Sequence, residues 1–334
     1  MHIPDNYLSP STCAVMAAAM VPVWAISVKK VRLEVTREKM PLIGVGAALS
    51  FLGMMFNVPL VGGTTGHIVG GTLLALLCGP YAACIAVTIA LLIQALIFGD
   101  GGILAFGANC FNMAFVLPFV GYYITKAITQ GNVSRVRKNI GRAVGSYIGI
   151  NIAALCAAIE FGIQPYLFQD SAGHALYCPY PLNVSIPAML AGHLLIAGVL
   201  EAVVTVAVLE FVEKTSPGLI YKRQETKKNY KPLYGLLLAL IALTPLGLLA
   251  AGTAWGEWGA DEIVSVMSGG KALGYTPAKM ESGFTFNSIF PDYSISGMPE
   301  WLGYILSAVA GTAILVILFK IISSFMKSKG KYAR

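Results

Sequence analysis

Long stretches of apolar residues, separated by short polar or glycine-rich connections, dominate this 334-residue chain. Runs near or above the roughly 18 residues needed to cross a bilayer's hydrocarbon occupy Leu8 to Val28, Pro41 to Phe56, Gly79 to Phe98, Leu104 to Ala127, Ile140 to Gly162, Ser185 to Val212, Leu233 to Ala251 and Trp301 to Ile322. A shorter run, Gly66 to Cys78, predicts a tilted or broken helix. The pattern predicts an all-α polytopic membrane protein with about nine transmembrane helices, seven in a first part and two in a C-terminal part. Composition agrees: 56% of residues are hydrophobic and 12% charged, which does not furnish a soluble domain's surface.

Charge placement orients these helices. Basic residues cluster after the first span (Lys29, Lys30, Arg32, Arg37, Lys39), after the fifth (Lys126, Arg135, Arg137, Lys138, Arg142), after Val212 (Lys214, Lys222, Arg223, Lys227, Lys228, Lys231) and at the end (Lys320, Lys327, Lys329, Lys331, Arg334). Those clusters hold 21 of the 23 Lys and Arg residues, leaving Lys271 and Lys279 for the other side. The positive-inside rule therefore predicts four cytoplasmic clusters and an N-terminus outside. The net charge of +7 reports this orientation; without an aromatic platform it does not predict nucleic-acid binding. The loops around Val58 to Thr65 and Gly99 to Gly102 carry no Lys or Arg. Residues 66–78 and 79–98 therefore either both span, with Gly79-Pro80 as a cytoplasmic turn, or form a re-entrant hairpin, and the first is favoured. The leading segment has Asp5 and no basic residue, the charge order of an uncleaved helix rather than a signal peptide. Of six cysteines, Cys13, Cys78, Cys84, Cys110 and Cys156 fall in or beside apolar spans and only Cys178 lies in an outer loop. No CxxC pair exists, so packing is their expected role.

Against this background His2 is the residue richest in chemistry. The free α-amine of Met1, the main-chain nitrogen of His2 and its Nδ1 can close two fused rings on one divalent ion. Three nitrogens then lie in a plane and leave a fourth corner. Nitrogen in a square plane suits Ni(II) or Cu(II), not Zn, Mg or Ca. Among His67, His174 and His193, His67 fits the corner best: it follows the Gly-rich run Val61-Gly62-Gly63-Thr64-Thr65-Gly66 and lies on the membrane face assigned to Met1. His193, eight residues before Glu201 in one span, reads more as interhelical hydrogen bonding than ligation, although ionisable groups within a span are functional candidates. His174 reads as solvated. Because coordination displaces protons from amine and amide, binding should strengthen as pH rises.

Met1-His2-Ile3-Pro4-Asp5 with Tyr7-Leu8-Ser9-Pro10, the approach to His67, Phe106-Gly107-Ala108-Asn109 and Asn112-Met113-Ala114 together resemble the nickel/cobalt substrate-binding component of energy-coupling-factor transporters. The likeness covers roughly Met1 to Tyr221, with Asn6 where many members carry Gly. From Leu233 onward, Thr244-Pro245-Leu246-Gly247 and Thr253-Ala254-Trp255-Gly256-Glu257-Trp258-Gly259 resemble the small two-helix accessory component of those systems. The implied organisation is a metal-binding membrane domain over 1–221, a basic cytoplasmic linker over 222–232 and an accessory domain over 233–334 with a long outer loop.

The resemblance implies a square-planar ion held by Met1, His2 and His67, with Asn109 and Asn112 orienting ligands or loops. It also implies that Met1 persists, a bulky second residue hindering its removal once the formyl group is gone. No G-x-x-x-x-G-K-[ST] loop is present, and Gly269-Gly270-Lys271 lacks the spacing. The resemblance assigns ATP hydrolysis to a pair of cytoplasmic ATPases, joined by a membrane coupling subunit that could pack on Ala14 and Ala18. The expected protein is thus no enzyme and needs no cofactor beyond its cargo, Ni(II) or Co(II). It is a substrate-capturing subunit in a prokaryotic cell membrane, the alternative being a metal sensor or receptor that uses the same chelate without transport. An intramembrane hydrolase lacks HExxH or any visible nucleophile and base.

Overall fold

The computed structural model describes residues 1–221, 229–268 and 271–326. The expected linker therefore falls largely on residues outside the described ones, as do Gly269, Gly270, Lys327, Lys329, Lys331 and Arg334. Helix α1 (Pro10–Glu34) starts where Ser9 Oγ accepts the Thr12 N–H and Pro10 presets the first turn. It buries only a stripe, Cys13, Met20, Ser27 and Val31, and leaves an apolar outer face. Helix α2 (Met40–Met55) is the opposite case, buried along nearly its whole length. An antiparallel ribbon, β1 (Val58–Pro59) with β2 (Thr65–Gly66), then turns the chain back.

The short run 66–78 is broken as expected: only Gly71–Cys78 is helical (α3). Eight residues at 1.5 Å rise span about 12 Å, too little for a hydrocarbon layer of about 30 Å, so the non-helical residues before α3 carry the chain part of the way. Gly79 packs on Tyr221, whose hydroxyl donates to Glu34 Oε2 at 2.8 Å. Helix α4 (Pro80–Ile93) then runs back to the Met1 end, arriving through a wider π turn at Gln94–Phe98.

Helix α5 (Phe106–Asn109) passes through a second π segment, Cys110–Val116, into α6 (Leu117–Ile128), which packs along α7 (Arg135–Gly162). After α8 (Gln164–Leu167) come α9 (Leu182–Gly192), a third π segment at His193–Ala197, and α10 (Gly198–Thr215). The C-terminal part comprises α11 (Lys231–Leu243), a long loop holding β3 (Met267–Ser268), β4 (Lys271–Ala272) and α12 (Ala278–Glu281), and α13 (Glu300–Phe325). Helix α13 lies against α2, Gly44 giving the Phe319 side chain room to approach.

Among the described residues, seven helical stretches are long and apolar enough to cross a membrane by length and composition. With α2 and α3 they occupy the positions of the nine apolar runs. The fold is that of an all-α polytopic membrane protein.

Candidate metal site

The first five residues are not a solvated tail. Met1, His2 and Ile3 are 4%, 2% and 0% exposed. Backbone pairing explains why. Asn109 Oδ1 accepts the Ile3 N–H at 2.8 Å and Asn109 Nδ2 donates to the Ile3 carbonyl at 3.0 Å, while Gly102 N–H also donates to that carbonyl at 2.8 Å. Asp5 closes the segment by accepting the Ile103 and Leu104 N–H groups at 3.0 and 2.7 Å. Ile3, Tyr7 and Leu8 then bury apolar surface beneath.

Gly101 has φ +83°, and a Cβ there would stand 3.1 Å from His2 Cδ2. Asn6, the residue that departs from the family's Gly, also sits in the left-handed region at φ +68°, which Asn tolerates better than most side chains. Its amide pairs in both directions with the Phe284 backbone, at 2.8 and 2.9 Å.

His67 reaches the same point from the loop before α3. Its Nδ1 lies 3.2 Å from the Ile68 carbonyl, which can only accept, so Nδ1 carries the proton and Nε2 presents a lone pair. That Nε2 stands 3.1 Å from His2 Nδ1, with ring centroids 4.9 Å apart. Adjacent corners of a square plane are √2 bond lengths apart, about 2.8 Å for a metal–nitrogen bond of roughly 2.0 Å. The two imidazoles therefore stand close to the separation that neighbouring ligands need.

Carboxylates flank the donors. His2 Nδ1 is also 3.2 Å from Asp100 Oδ1, while Asp100 Oδ2 accepts from Gln94 Nε2 at 3.0 Å and from the Tyr293 hydroxyl at 2.5 Å. Burial raises the Asp100 pKa, and these hydrogen bonds oppose the rise. The Met1 amine lies 3.2 Å from Glu257 Oε1. Burial pushes the His2 imidazole down to about 4, with Glu257 opposing that shift and the N-terminal charge adding to it. The ring is therefore neutral near pH 7, as a metal ligand must be. His67 Nε2 and Asp100 Oδ1 thus each stand within hydrogen-bond distance of His2 Nδ1. Among the described residues no three His, Cys, Asp or Glu side chains are placed to hold a metal, so a site here would have to recruit main-chain nitrogen.

The other candidates lie apart from this convergence or at its margin. His193 is buried and donates from Nδ1 to the Met189 carbonyl at 2.8 Å, a bond within its own helical stretch and not the interhelical one expected; it shares a small cavity with Met1. His174 is exposed and stands 3.5 Å from Asp170. Asn112 donates to Glu160 Oε2 at 2.8 Å and not to an imidazole, whereas Asn109 acts on the Ile3 backbone. Ala14 and Ala18 are exposed on α1. Sequence reasoning missed Asp100, Glu257, Gln94 and Tyr293. Asp100 could have been suspected, a lone acid beside Gly99, Gly101 and Gly102.

The fold and site together define a helical membrane protein with a buried N-terminus and two imidazoles drawn together beside it. Its residues 2–219 match the model of the cobalt uptake substrate-specific transmembrane region, and residues 231–328 match the PDGLE domain. The chain belongs to that cobalt uptake family, with the second domain fused behind it. It is 50% identical to a probable fused nickel transport protein LarMN of Lactiplantibacillus plantarum, over 96% of this chain and 97% of that one. It is 45% identical to the fused nickel transport protein NikMN of Rhodobacter capsulatus, over 95% of each. A crystal structure of a truncated transition metal transporter superposes with TM-score 0.61 at 54% identity, covering 64% of this chain and 99% of that one.

Proposed function

We propose that this protein captures Ni(II), with Co(II) as the other candidate cargo, in a square plane formed by the Met1 amine, the His2 main-chain nitrogen, His2 Nδ1 and His67 Nε2. The observation that carries the reading is the 3.1 Å approach of two buried imidazole nitrogens 65 residues apart, beside a buried α-amine. In the chelate the His2 main-chain nitrogen lies between the amine and Nδ1, so His67 completes the plane next to both. Asn109 holds the N-terminal segment at Ile3, and Glu257 of the 233–334 accessory domain touches the amine. The ion replaces the proton between His2 and its neighbours, and the buried setting excludes competing water.

The capturing subunit spans a prokaryotic cell membrane and delivers its cargo to a membrane coupling subunit driven by cytoplasmic ATPases. The exposed Ala14 and Ala18 face of α1 is the surface offered to that subunit. His2→Ala and His67→Ala are expected each to abolish high-affinity nickel binding in a protein that still folds. Radioactive nickel uptake against a gradient should require the coupling subunit and ATPases together with this chain. Full binding by His67→Ala would overturn the ligand set, and strong ATP-independent uphill uptake by this chain alone would overturn the transport assignment. Nickel bound by a chain whose uptake is unchanged with or without those partners would make it a receptor.

A further inference from the structure

The loop that carries His67 is pinned before the ligand by the pairing of Thr65 and Gly66 with Pro59 and Val58, and after it by side chains from other helices. Glu201 of α10 is 1% exposed; its Oε2 accepts the Val69 N–H at 2.9 Å and its Oε1 accepts the Gly70 N–H at 2.9 Å. The Gly70 N–H also lies 3.1 Å from Oε2. On the other side, Ser50 Oγ of α2 donates to the Val69 carbonyl at 2.7 Å. Helix α3 has no capping side chain of its own, and Gly70 enters it in the left-handed conformation at φ +73°. Glu201 therefore supplies from another helix the acceptor for the N-cap N–H that a Glu or Gln at the third helical position gives in a capping box, a position held here by Leu73.

Packing supports this stretch on one flank only. Val69 is fully buried and Ile68 lies against Gly53, but a cavity of about 290 Å³ adjoins, lined by Ser50, Gly53, Ile68, Val69, Gly70 and Leu200 among other residues, nearly all of them apolar. Hydrogen bonds to one buried carboxylate thus set where the chain leaves His67, two residues before Val69.

We propose that Glu201 is the positioning residue of the His67 arm, setting how long a bound ion is retained. This rests on the reading of His67 as a ligand. The carboxylate touches neither the ion nor its ligands, but it fixes the backbone from which the fourth nitrogen projects. Glutamine at this position keeps one acceptor oxygen, which both N–H groups must then share, and turns an N–H donor towards the Gly70 N–H. Alanine removes both oxygens.

The test is stopped-flow nickel dissociation, with the visible absorption of bound nickel recorded in the same samples of full-length wild type, Glu201→Gln and Glu201→Ala. Loss of one hydrogen bond corresponds to up to roughly tenfold. Dissociation should therefore quicken up to about tenfold in Glu201→Gln and more in Glu201→Ala, with the absorption band displaced as the His67 donor shifts. A merely structural carboxylate would change thermal stability but leave band and rate alone. Wild-type rates and spectra in both variants would overturn the proposal. Should neither fold, Ser50→Ala decides: several-fold faster release supports the clamp, and an unchanged rate refutes it. A wild type without any square-planar nickel band would refute the ligand reading itself, and the proposal with it.

Discussion

Asn109→Ala gives a graded test of the buried N-terminus. The substitution removes two hydrogen bonds to Ile3, at 2.8 and 3.0 Å, but the two losses are unequal. The Ile3 carbonyl keeps the Gly102 N–H at 2.8 Å, so its share of the cost is about 0.5–1.5 kcal/mol. The Ile3 N–H loses its partner in a residue that is fully buried, at about 1–3 kcal/mol. The sum is about 1.5–4.5 kcal/mol, concentrated one residue from the His2 donors. If most of it falls on the bound geometry, nickel affinity drops by roughly 10- to 1,600-fold, at 1.4 kcal/mol per decade. Asn109→Asp should recover much of the loss, because its carboxylate still accepts the Ile3 N–H and sacrifices only the duplicated bond to the carbonyl. Competition titration against a chelator of known affinity measures both variants. Wild-type affinity in Asn109→Ala, or an aspartate no better than the alanine, would refute this account of how the segment is held.

Three further outcomes follow from the same geometry. Gly102→Ala would set a methyl group against the Asp5 backbone nitrogen and carboxylate; it should abolish binding while circular dichroism still reports a helical protein. Nickel binding near pH 7 should release the His2 amide proton and none from the His2 ring, which burial pushes down to about 4; calorimetry in buffers of different ionisation enthalpy detects the release. His2 also fixes the sign of an acid effect. A folded value below the ordinary 6.5 means that the unfolded state binds more protons, so stability is full above about 6.5 and declines as pH falls towards 4, readable as a falling midpoint of thermal unfolding.

How much of this the sequence displays depends on the physics behind each feature. Membrane spans are written locally, as length and apolarity, and all nine runs reappear as helical segments. The break inside 66–78 was legible too, since its glycines and its shortness leave only Gly71–Cys78 helical. The meeting of His2 with His67 could be anticipated because basic residues place both on one membrane face. What no local pattern announces is partnership across distance. Glu257 meets Met1 256 positions away, and Tyr293 braces Asp100 across 193. Such contacts exist only once α13 has packed on α2 and drawn the intervening loop over the N-terminus. Burial of the first three residues escaped notice for the same reason: Asn109, 106 positions from Ile3, does the holding.

The central claim is that the α-amine of Met1 is itself a ligand, and one residue placed before Met1 tests it most directly. The extension moves the free amine away and puts a peptide bond where the plane needs a nitrogen donor, without touching any helix. The measurement is nickel affinity together with the visible spectrum of the bound ion, compared with the unextended chain. The unextended protein should bind nickel as a diamagnetic, low-spin square-planar complex, and the extended one should lose both the high affinity and that spectrum. Unchanged affinity and an unchanged spectrum in the extended protein would contradict the account.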